Sequence, residues 1–197
     1  MGADLLVDDL ARGCRVTYEP GFLAPGEAAG WMAELAGSLP FVAEAPVIFG
    51  KAILVRRQSC AVGDPGQRYR YSGVERAAGP WPAGFGPLLD RLEERTGARF
   101  SFALCNWYPD GESGLGWHAD DEADLVRGAP IASLSLGATR DFALRVGRSG
   151  RASVTVPLAP GSLLVMAGAT QQHYQHRVPP RLRCTEPRIN LTFRVMR

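Results

Sequence analysis

After Arg99 the chain consists of short β-type segments, and this half of the sequence most constrains the fold. Clusters of Gly, Pro and Asp separate the segments, and no helical periodicity returns among them. Several short strands at this spacing predict a mainly β protein of the α+β class, a double-sheet jelly roll or double-stranded β-helix. The predicted strands are Phe100–Tyr108, Ile131–Leu136, Phe142–Val146, Ser153–Val156, Ser162–Met166 and Ile189–Val195.

Two helices are predicted before these strands. Ala28–Leu39 has apolar residues at spacings of three and four and ends at Pro40. Pro87–Thr96 begins with proline and is followed by Gly97, a residue that commonly caps a helix. We expect both helices to pack outside the sheets.

No repeat or long linker divides the chain, so residues 1–197 are expected to form one domain. Its jelly-roll core is expected over 99–197. Residues from about 40 to 86, rich in Pro, Gly and Arg, are expected to form a helical or extended insertion before the second helix.

The composition excludes several classes of protein. A net charge of +2 excludes an overall polycation and disorder driven by charge. The four cysteines form no Cys-x-x-Cys pair, so neither a zinc ribbon nor a redox motif is indicated. No apolar run approaches the roughly 20 residues of a membrane span. We therefore expect a cytoplasmic protein of arginine-heavy, bacterial-type composition that does not contact a membrane.

His118 and Asp120 form the most informative local motif. In an extended segment, residues two apart face the same way, so their imidazole and carboxylate can reach one metal ion. A third ligand must come from elsewhere, and His173 and His176 are the other histidines of the chain. Two histidines and one carboxylate leave about three of six positions open, which suits Fe(II), whereas zinc usually takes four ligands. The simpler alternative is a hydrogen-bonded surface pair.

The C-terminal strand carries a row of polar side chains on one face. These side chains alternate strictly with apolar ones, and an arginine stands at each end of the row. Inside a barrel, buried guanidinium groups require anionic partners, and a dicarboxylic acid would satisfy both arginines. The alternative is an edge strand with a solvated polar face. The polar residues are Arg188, Asn190, Thr192 and Arg194.

The ordered set of His118-x-Asp120, a distant His176 and the Arg188-x5-Arg194 strand resembles the AlkB-type, iron- and 2-oxoglutarate-dependent nucleic-acid dioxygenases. The likeness covers about the last three quarters of the chain and is greatest to the compact dealkylating homologues. Further matching segments are Phe49–Lys51, Tyr69–Gly73, Asn106–Gly111, Pro130–Gly137, Gly168–Gln171 and Gln175–Pro179.

The resemblance implies that His118, Asp120 and His176 are the ligands of Fe(II), with His173 outside the site. It also implies a pocket for 2-oxoglutarate, in which the family pattern gives Arg194 to the terminal carboxylate. Arg188 is expected either to contact the cosubstrate or to support Asp120 or the nearby backbone. The pocket residues implied in this way are Asn106, Tyr108, Arg188, Asn190, Thr192 and Arg194.

The resemblance further implies residues that contact a base turned out of its stack. Tyr71 would stack on that base opposite His118, and Tyr69 and Ser72 would flank it. Glu122 would accept a hydrogen bond from an exocyclic amine. Phe49 would act as an apolar wedge in the space that the base leaves. For the aromatic residues the alternative is core packing, and for Glu122 a solvated surface position.

Arginines cluster in the insertion and after the last histidine, and residues 140–197 carry ten basic and two acidic residues. Together they indicate a polyanionic partner, because arginine contacts phosphates well. The arginines expected around the opening are Arg56, Arg57, Arg68, Arg70, Arg177, Arg181 and Arg183.

The sequence thus predicts an oxidative dealkylase of N-methylated bases, of the 1-methyladenine and 3-methylcytosine type. The expected partner is alkylated DNA, single- or double-stranded, or RNA, and the expected state is a monomer. The insertion would be the nucleotide-recognition region. Two alternatives stay open, a 2-oxoglutarate-dependent hydroxylase of a protein or small molecule, and a non-catalytic nucleic-acid-binding jelly roll.

Overall fold

A computed structural model of the chain describes residues 2–43, 47–48, 51–52, 56–71 and 74–197. Two sheets form its centre. The strands of the larger sheet, in spatial order and numbered along the chain, are β1 (Asp4–Asp9), β2 (Cys14–Glu19), β15 (Leu163–Gly168), β12 (Ile131–Gly137), β17 (Arg188–Arg194), β10 (Phe102–Tyr108), β6 (Gln58–Gly63) and β3 (Val42–Ala43). The short β9 (Gly79–Pro80) adds to β6 in parallel, and the other pairs are antiparallel.

The smaller sheet is antiparallel and faces the larger one across a shared apolar core. Its strands, in spatial order, are β11 (Leu115–His118), β16 (Tyr174–Val178), β13 (Arg140–Val146) and β14 (Val154–Leu158). Two hairpins lie outside both sheets, β4 (Val47–Ile48) with β5 (Lys51–Ala52), and β7 (Arg68–Tyr71) with β8 (Val74–Ala77). This pair of facing sheets is the predicted jelly roll.

The helices are α1 (Pro25–Ser38), α2 (Phe85–Thr96) and the single turn α3 (Thr170–His173). The first starts three residues earlier than predicted, with proline in its first turn, and ends before Pro40. The second starts two residues earlier and ends at Gly97, whose positive φ of 70° suits a residue without a side chain. Both pack on the outer face of the larger sheet, where a second core cluster lies.

The central position of β17 decides where the polar row points. This strand pairs with β10 on one edge and with β12 on the other, and all of its residues are buried. Its apolar residues pack in the core under the helices, so the polar residues face the space between the sheets. The edge-strand alternative is therefore wrong.

The remaining predictions of secondary structure differ from the structure in specific places. Each of the six predicted strands is present, with ends that shift by at most two residues. The N-terminal hairpin of β1 and β2 was not predicted: the run from Asp4 to Asp9 lacks an alternating pattern, and the alternation over Cys14–Glu19 was overlooked. The turn α3, and strands β11 and β16, were also missed. Among the residues that the structure describes, no helix is long and apolar enough to span a bilayer.

We expect Phe193→Ala to lower the free energy of unfolding by about 3–5 kcal/mol, as for other large aromatic residues removed from a core. Phe193 has no exposed surface and contacts the rings of Trp81, Phe85 and Phe100. Urea unfolding measures the change. Leu182→Ala is the control, because Leu182 is 76% exposed and its loss should cost within about 0.5 kcal/mol. Equal effects of the two substitutions would contradict the assigned core.

Candidate metal and dicarboxylate site

Three predicted ligands meet between the two sheets. His118 ends β11 and lies opposite His176 on β16, so the two imidazole rings are cross-strand neighbours with centroids 4.2 Å apart. Asp120 follows in the loop after β11. One ligand atom from each residue lies within 4.8 Å of the other two, and the structure's described part holds one such group. His173 lies on the surface at the end of α3 and takes no part in it.

The Asp120 carboxylate is held in its ionised form. Burial alone would raise its pKa, but the positive charge of Arg194, helped by His176 and His118, outweighs burial and lowers the pKa to about 2. Arg194 Nη2 lies 2.9 Å from Asp120 Oδ2, and His118 Nε2 lies 3.7 Å from Asp120 Oδ1. One carboxylate oxygen is therefore taken by an arginine, while the other faces the histidines.

Both imidazoles can offer a lone pair to a metal ion. Burial, reinforced by the neighbouring His118, lowers the pKa of His176 to about 3, so the ring is neutral at physiological pH. His118 Nδ1 lies 2.8 Å from the carbonyl oxygen of Gly116. Because a carbonyl can only accept, Nδ1 carries the proton and Nε2 is left for a ligand. Two imidazoles and one carboxylate form a donor set that fits Fe(II).

An inner pocket begins at the three ligands and runs along β17. Arg188 lies opposite Tyr108 on β10, and its guanidinium stacks on that ring at 5.1 Å while Nη2 donates to Ser135 Oγ at 2.9 Å. The Nε and Nη1 atoms of Arg188 are buried and have no hydrogen-bond partner among the described residues. A buried guanidinium with unused donors is what an incoming carboxylate requires. The pocket is lined by Arg57, Leu104, Asn106, Tyr108, Leu115, His118, Asp120, Ser133, Phe142, Met166, His176, Val178, Arg188, Asn190, Thr192 and Arg194.

The other two predicted residues on this strand form the wall of the pocket. Asn190 Nδ2 donates to Ser133 Oγ at 2.8 Å and to the Leu134 carbonyl at 3.1 Å. Thr192 Oγ1 donates to Asn190 Oδ1 at 3.1 Å. These bonds fix the amide of Asn190 and tie the central strand to β12.

The charge of the pocket suits a dicarboxylate. Its described lining residues include three arginines and one carboxylate, Asp120, so positive charge exceeds negative by 3 − 1 = 2. The buried donors and this charge fit 2-oxoglutarate, which carries two carboxylates. The residues present therefore match the cosubstrate that the sequence predicted.

The structure places the two arginines in different surroundings. Arg194 is paired with Asp120 and lies at the metal end of the row. Arg188 lies six residues along the same strand, about 20 Å of extended backbone away, and is not in contact with Asp120. Both guanidinium groups keep a buried Nε and Nη1 without a hydrogen-bond partner among the described residues. Which arginine holds the terminal carboxylate of the cosubstrate therefore stays a prediction.

Of the predicted substrate residues, Tyr69 and Glu122 have side chains that the structure describes, and the other three do not. Tyr69 is 1% exposed, donates its phenolic proton to Glu122 Oε1 and packs its ring under the Arg194 guanidinium at 4.7 Å. It supports Glu122 from the core and is not on the open surface. The backbone of Tyr71 belongs to β7, and its side chain lies outside the described residues. Phe49 and Ser72 also lie outside the described residues, so their roles stay predictions.

Glu122 lies in an outer cavity on the other side of the metal group. This cavity has a volume of about 530 Å³ and is lined by His118, Asp120 and Arg194 as well as Glu122. Burial raises the pKa of the Glu122 carboxyl. Its Oε2 atom is buried and has no partner among the described side chains and backbone. The carboxyl therefore has one acceptor without a partner among the described residues, on a side chain that lines the outer cavity.

Sequence reasoning missed three contributors to the site. Arg57 was expected at the rim, but it is 5% exposed and donates to Asn106 Oδ1 at 2.5 Å within the inner pocket. Ser133 and Ser135 hold Asn190 and Arg188. The serines could have been found, because they alternate with apolar residues on a predicted strand. Nothing in the local pattern indicates that Arg57 turns inward.

Comparisons with known proteins show the family to which the chain belongs. Residues 15–194 match the 2OG-Fe(II) oxygenase superfamily. The chain therefore belongs to this superfamily, in its AlkB-type branch. It is 44% identical over 154 residues to the DNA oxidative demethylase ALKBH2 of Mus musculus, and 42% identical over 137 residues to the alpha-ketoglutarate-dependent dioxygenase alkB homolog 3 of Homo sapiens.

The extent of these matches differs. The mouse match covers 75% of this chain and 64% of the mouse protein. The human match covers 65% of this chain and 48% of the human protein. The ALKBH2 of Arabidopsis thaliana is 32% identical over 215 residues, which covers 95% of this chain and 68% of that relative. The solved structure of OsALKBH1, 21% identical, shares the fold with a TM-score of 0.64, covering 91% of this chain and 97% of that one.

We expect the metal-free protein to lose stability as the pH falls from 6.5 toward 3. In this window the unfolded chain protonates His176, whose ordinary pKa is 6.5, while the folded state keeps it neutral down to about 3. The unfolded state therefore binds more protons, and the free energy of unfolding decreases on acidification. Asp120, with a pKa of about 2 against an ordinary 3.8, adds to the loss only below about pH 4.

Urea unfolding in the presence of a chelator, repeated at pH values from 7 to 4, measures this slope. His176→Asn should flatten it, and His173→Asn, at an exposed position, should leave it unchanged. The assigned protonation state of His176 is wrong if the first variant keeps the slope of the wild type.

Proposed function

We propose that this protein is an Fe(II)- and 2-oxoglutarate-dependent oxygenase that removes N-methyl groups from bases in DNA. One observation carries the proposal. His118, Asp120 and Arg194 line both the inner pocket, which is lined with arginines, and the outer cavity, which contains Glu122. A metal ion held there would face a dicarboxylate on one side and a second, larger ligand on the other.

The residues of the chain have separate tasks in this reaction. His118, Asp120 and His176 would hold the Fe(II). Arg188 would bind the terminal carboxylate of 2-oxoglutarate through its unused donors, assisted by the Tyr108 ring beside it. Bound Fe(II) and 2-oxoglutarate supply the oxidation by O₂ of an N-methyl group, which then leaves as formaldehyde, while the cosubstrate becomes succinate and CO₂.

The chain's other residues orient and protect the reacting groups. Arg194 keeps Asp120 ionised and turned toward the histidines, because it holds the other carboxylate oxygen. The apolar side chains of the inner pocket, such as Phe142 and Met166, exclude water from the metal group. No nucleophilic side chain is needed, since the protein only has to place the methyl group beside the metal.

The substrate class rests on the outer cavity and on the relatives. The names of two relatives describe DNA oxidative demethylases. Both 1-methyladenine and 3-methylcytosine carry an exocyclic amino group beside the methylated nitrogen, and the free Oε2 of Glu122 can accept a hydrogen bond from it. A base must leave the duplex to reach a buried metal, and a methyl group that blocks pairing makes this step easier.

The test is release of formaldehyde and succinate from an oligonucleotide containing 1-methyladenine, incubated with Fe(II) and 2-oxoglutarate. We expect turnover by the wild type, turnover near background for His118→Ala, and turnover equal to the wild type for Glu94→Ala. The last variant is the control, because it removes an exposed side chain of α2 that lines neither the inner pocket nor the outer cavity.

Other outcomes would contradict the proposal in distinct ways. Succinate without any change in the oligonucleotide would indicate a hydroxylase of a protein or small molecule. Oligonucleotide binding that a chelator and His176→Ala leave unchanged, without turnover, would indicate a non-catalytic binding protein.

We expect Arg188→Met to raise the KM for 2-oxoglutarate by about 10- to 100-fold, the loss that follows removal of hydrogen bonds to a charged group. Arg188→Lys should recover part of it, because a lysine keeps the charge but not the planar fork. Succinate release at varied 2-oxoglutarate measures KM. Arg151→Met, at an exposed position, should leave KM unchanged. An unaltered KM in Arg188→Met would remove this residue from the cosubstrate pocket.

A further inference from the structure

We propose that Gln171 is a positioning residue that fixes Asp120 for metal binding, and that the N-terminal hairpin keeps Gln171 in place. The backbone N–H of Asp120 donates to Gln171 Oε1 at 3.0 Å. Because a backbone N–H can only donate, this contact fixes the orientation of the Gln171 amide. The amide nitrogen then donates to Met166 Sδ at 3.3 Å. In this proposal Gln171 acts through Asp120 and is not itself a metal ligand.

Asp120 needs such a support because of its place in the fold. It lies in the loop beyond β11, where no strand pairing holds the backbone. Its side chain must present one oxygen to the histidines while Arg194 holds the other. Rotation of the loop would break both contacts at once. The bond from Gln171 joins this loop to a residue 51 positions later, and partners of metal ligands typically set affinity by orienting those ligands.

The turn that carries Gln171 is fastened to the N-terminal hairpin. Ala169 N–H donates to the carbonyl of Gly13, between β1 and β2, at 2.9 Å. Thr170 Oγ1 lies 2.5 Å from the Ala167 carbonyl and 3.3 Å from that of Arg15. At Gly168, φ is +65° and a Cβ atom would lie 2.1 Å from the Gly13 carbonyl oxygen. Only glycine permits this close approach.

These contacts form a continuous path from the hairpin to the metal group. The hairpin positions α3, α3 positions Gln171, and Gln171 positions the backbone of Asp120. The inference rests on the metal-binding part of the proposed function and is independent of the nucleic-acid substrate. A role for the N-terminal hairpin, which the sequence left without one, follows from it.

The experiment measures Mn(II) affinity by calorimetry, without 2-oxoglutarate or nucleic acid, together with the thermal unfolding of the metal-free protein. Gln171→Met keeps the side chain's length but removes the acceptor, and Gln171→Glu keeps an acceptor oxygen. Gln172→Met is the matched control, an exposed position on the same turn.

We expect Gln171→Met to weaken Mn(II) binding about 10-fold or more, the usual effect of losing a partner of a metal ligand. Gln171→Glu should bind close to wild type, and so should Gln172→Met. The midpoint of thermal unfolding of the metal-free Gln171→Met protein should stay close to that of the wild type, which separates positioning from a general loss of structure.

Wild-type affinity in Gln171→Met would overturn the proposal, and so would equal weakening in Gln171→Met and Gln171→Glu. Thr170→Val tests the link to the hairpin and keeps the proposal testable if Gln171→Met does not fold. We expect it to weaken Mn(II) binding in the same direction but less, and wild-type affinity would remove the hairpin from the path. Failure of the wild type to bind Mn(II) would count against the proposed function instead.

Discussion

The pairing of β17 on both edges is the constraint on which the site depends. A strand with neighbours on each side has no free edge, so its two faces must both be covered. Helices cover one face with apolar contacts, and the second sheet covers the other. The alternation along the strand then forces two arginines, an asparagine and a threonine into the interior. The fold accepts these buried polar groups only because each meets a specific partner or a ligand.

The interior arginines are balanced in two different ways. The charge of Arg194 is neutralised within the protein by Asp120. Arg194 lowers the pKa of Asp120, and Asp120 raises the pKa of Arg194, so both groups stay charged. Burial instead lowers the pKa of Arg188, and no carboxylate acts on this guanidinium as Asp120 does on Arg194. The positive charge of Arg194 is therefore compensated within the protein, whereas that of Arg188 is not. This difference is the reason for proposing that an anion from solution binds at the Arg188 end of the pocket.

Strand positions were predictable from the sequence where the local pattern was strong. The alternation from Arg188 to Arg194 identified both the strand and the residues that face the pocket. The spacing of His118 and Asp120 indicated a shared face, but not which later histidine joins them. That choice depends on the pairing of β11 with β16, which places His176 opposite His118 and leaves His173 on a surface turn. Neither β11 nor β16 has a local sequence pattern strong enough to predict that the two strands pair.

The remaining parts of the site depend on contacts between distant segments. The order of the two arginines could not be read from the strand alone, because Asp120 approaches from a loop about 70 residues earlier in the chain. Arg57 turns inward, where Asn106 Oδ1 on the neighbouring strand accepts a hydrogen bond from its guanidinium. Polar contacts of this kind carry no periodic signal. The role of the N-terminal hairpin is also a matter of tertiary structure.

The ion pair between Arg194 and Asp120 limits the denticity of the carboxylate. With Oδ2 engaged by the guanidinium, only Oδ1 is left, so Asp120 can act as a monodentate ligand and the protein contributes three donor atoms in all. A chelating carboxylate would fill a fourth place in the coordination sphere. A six-coordinate ion held by these residues would therefore have three positions for exchangeable ligands, and the pairing of Arg194 with Asp120 would set that number.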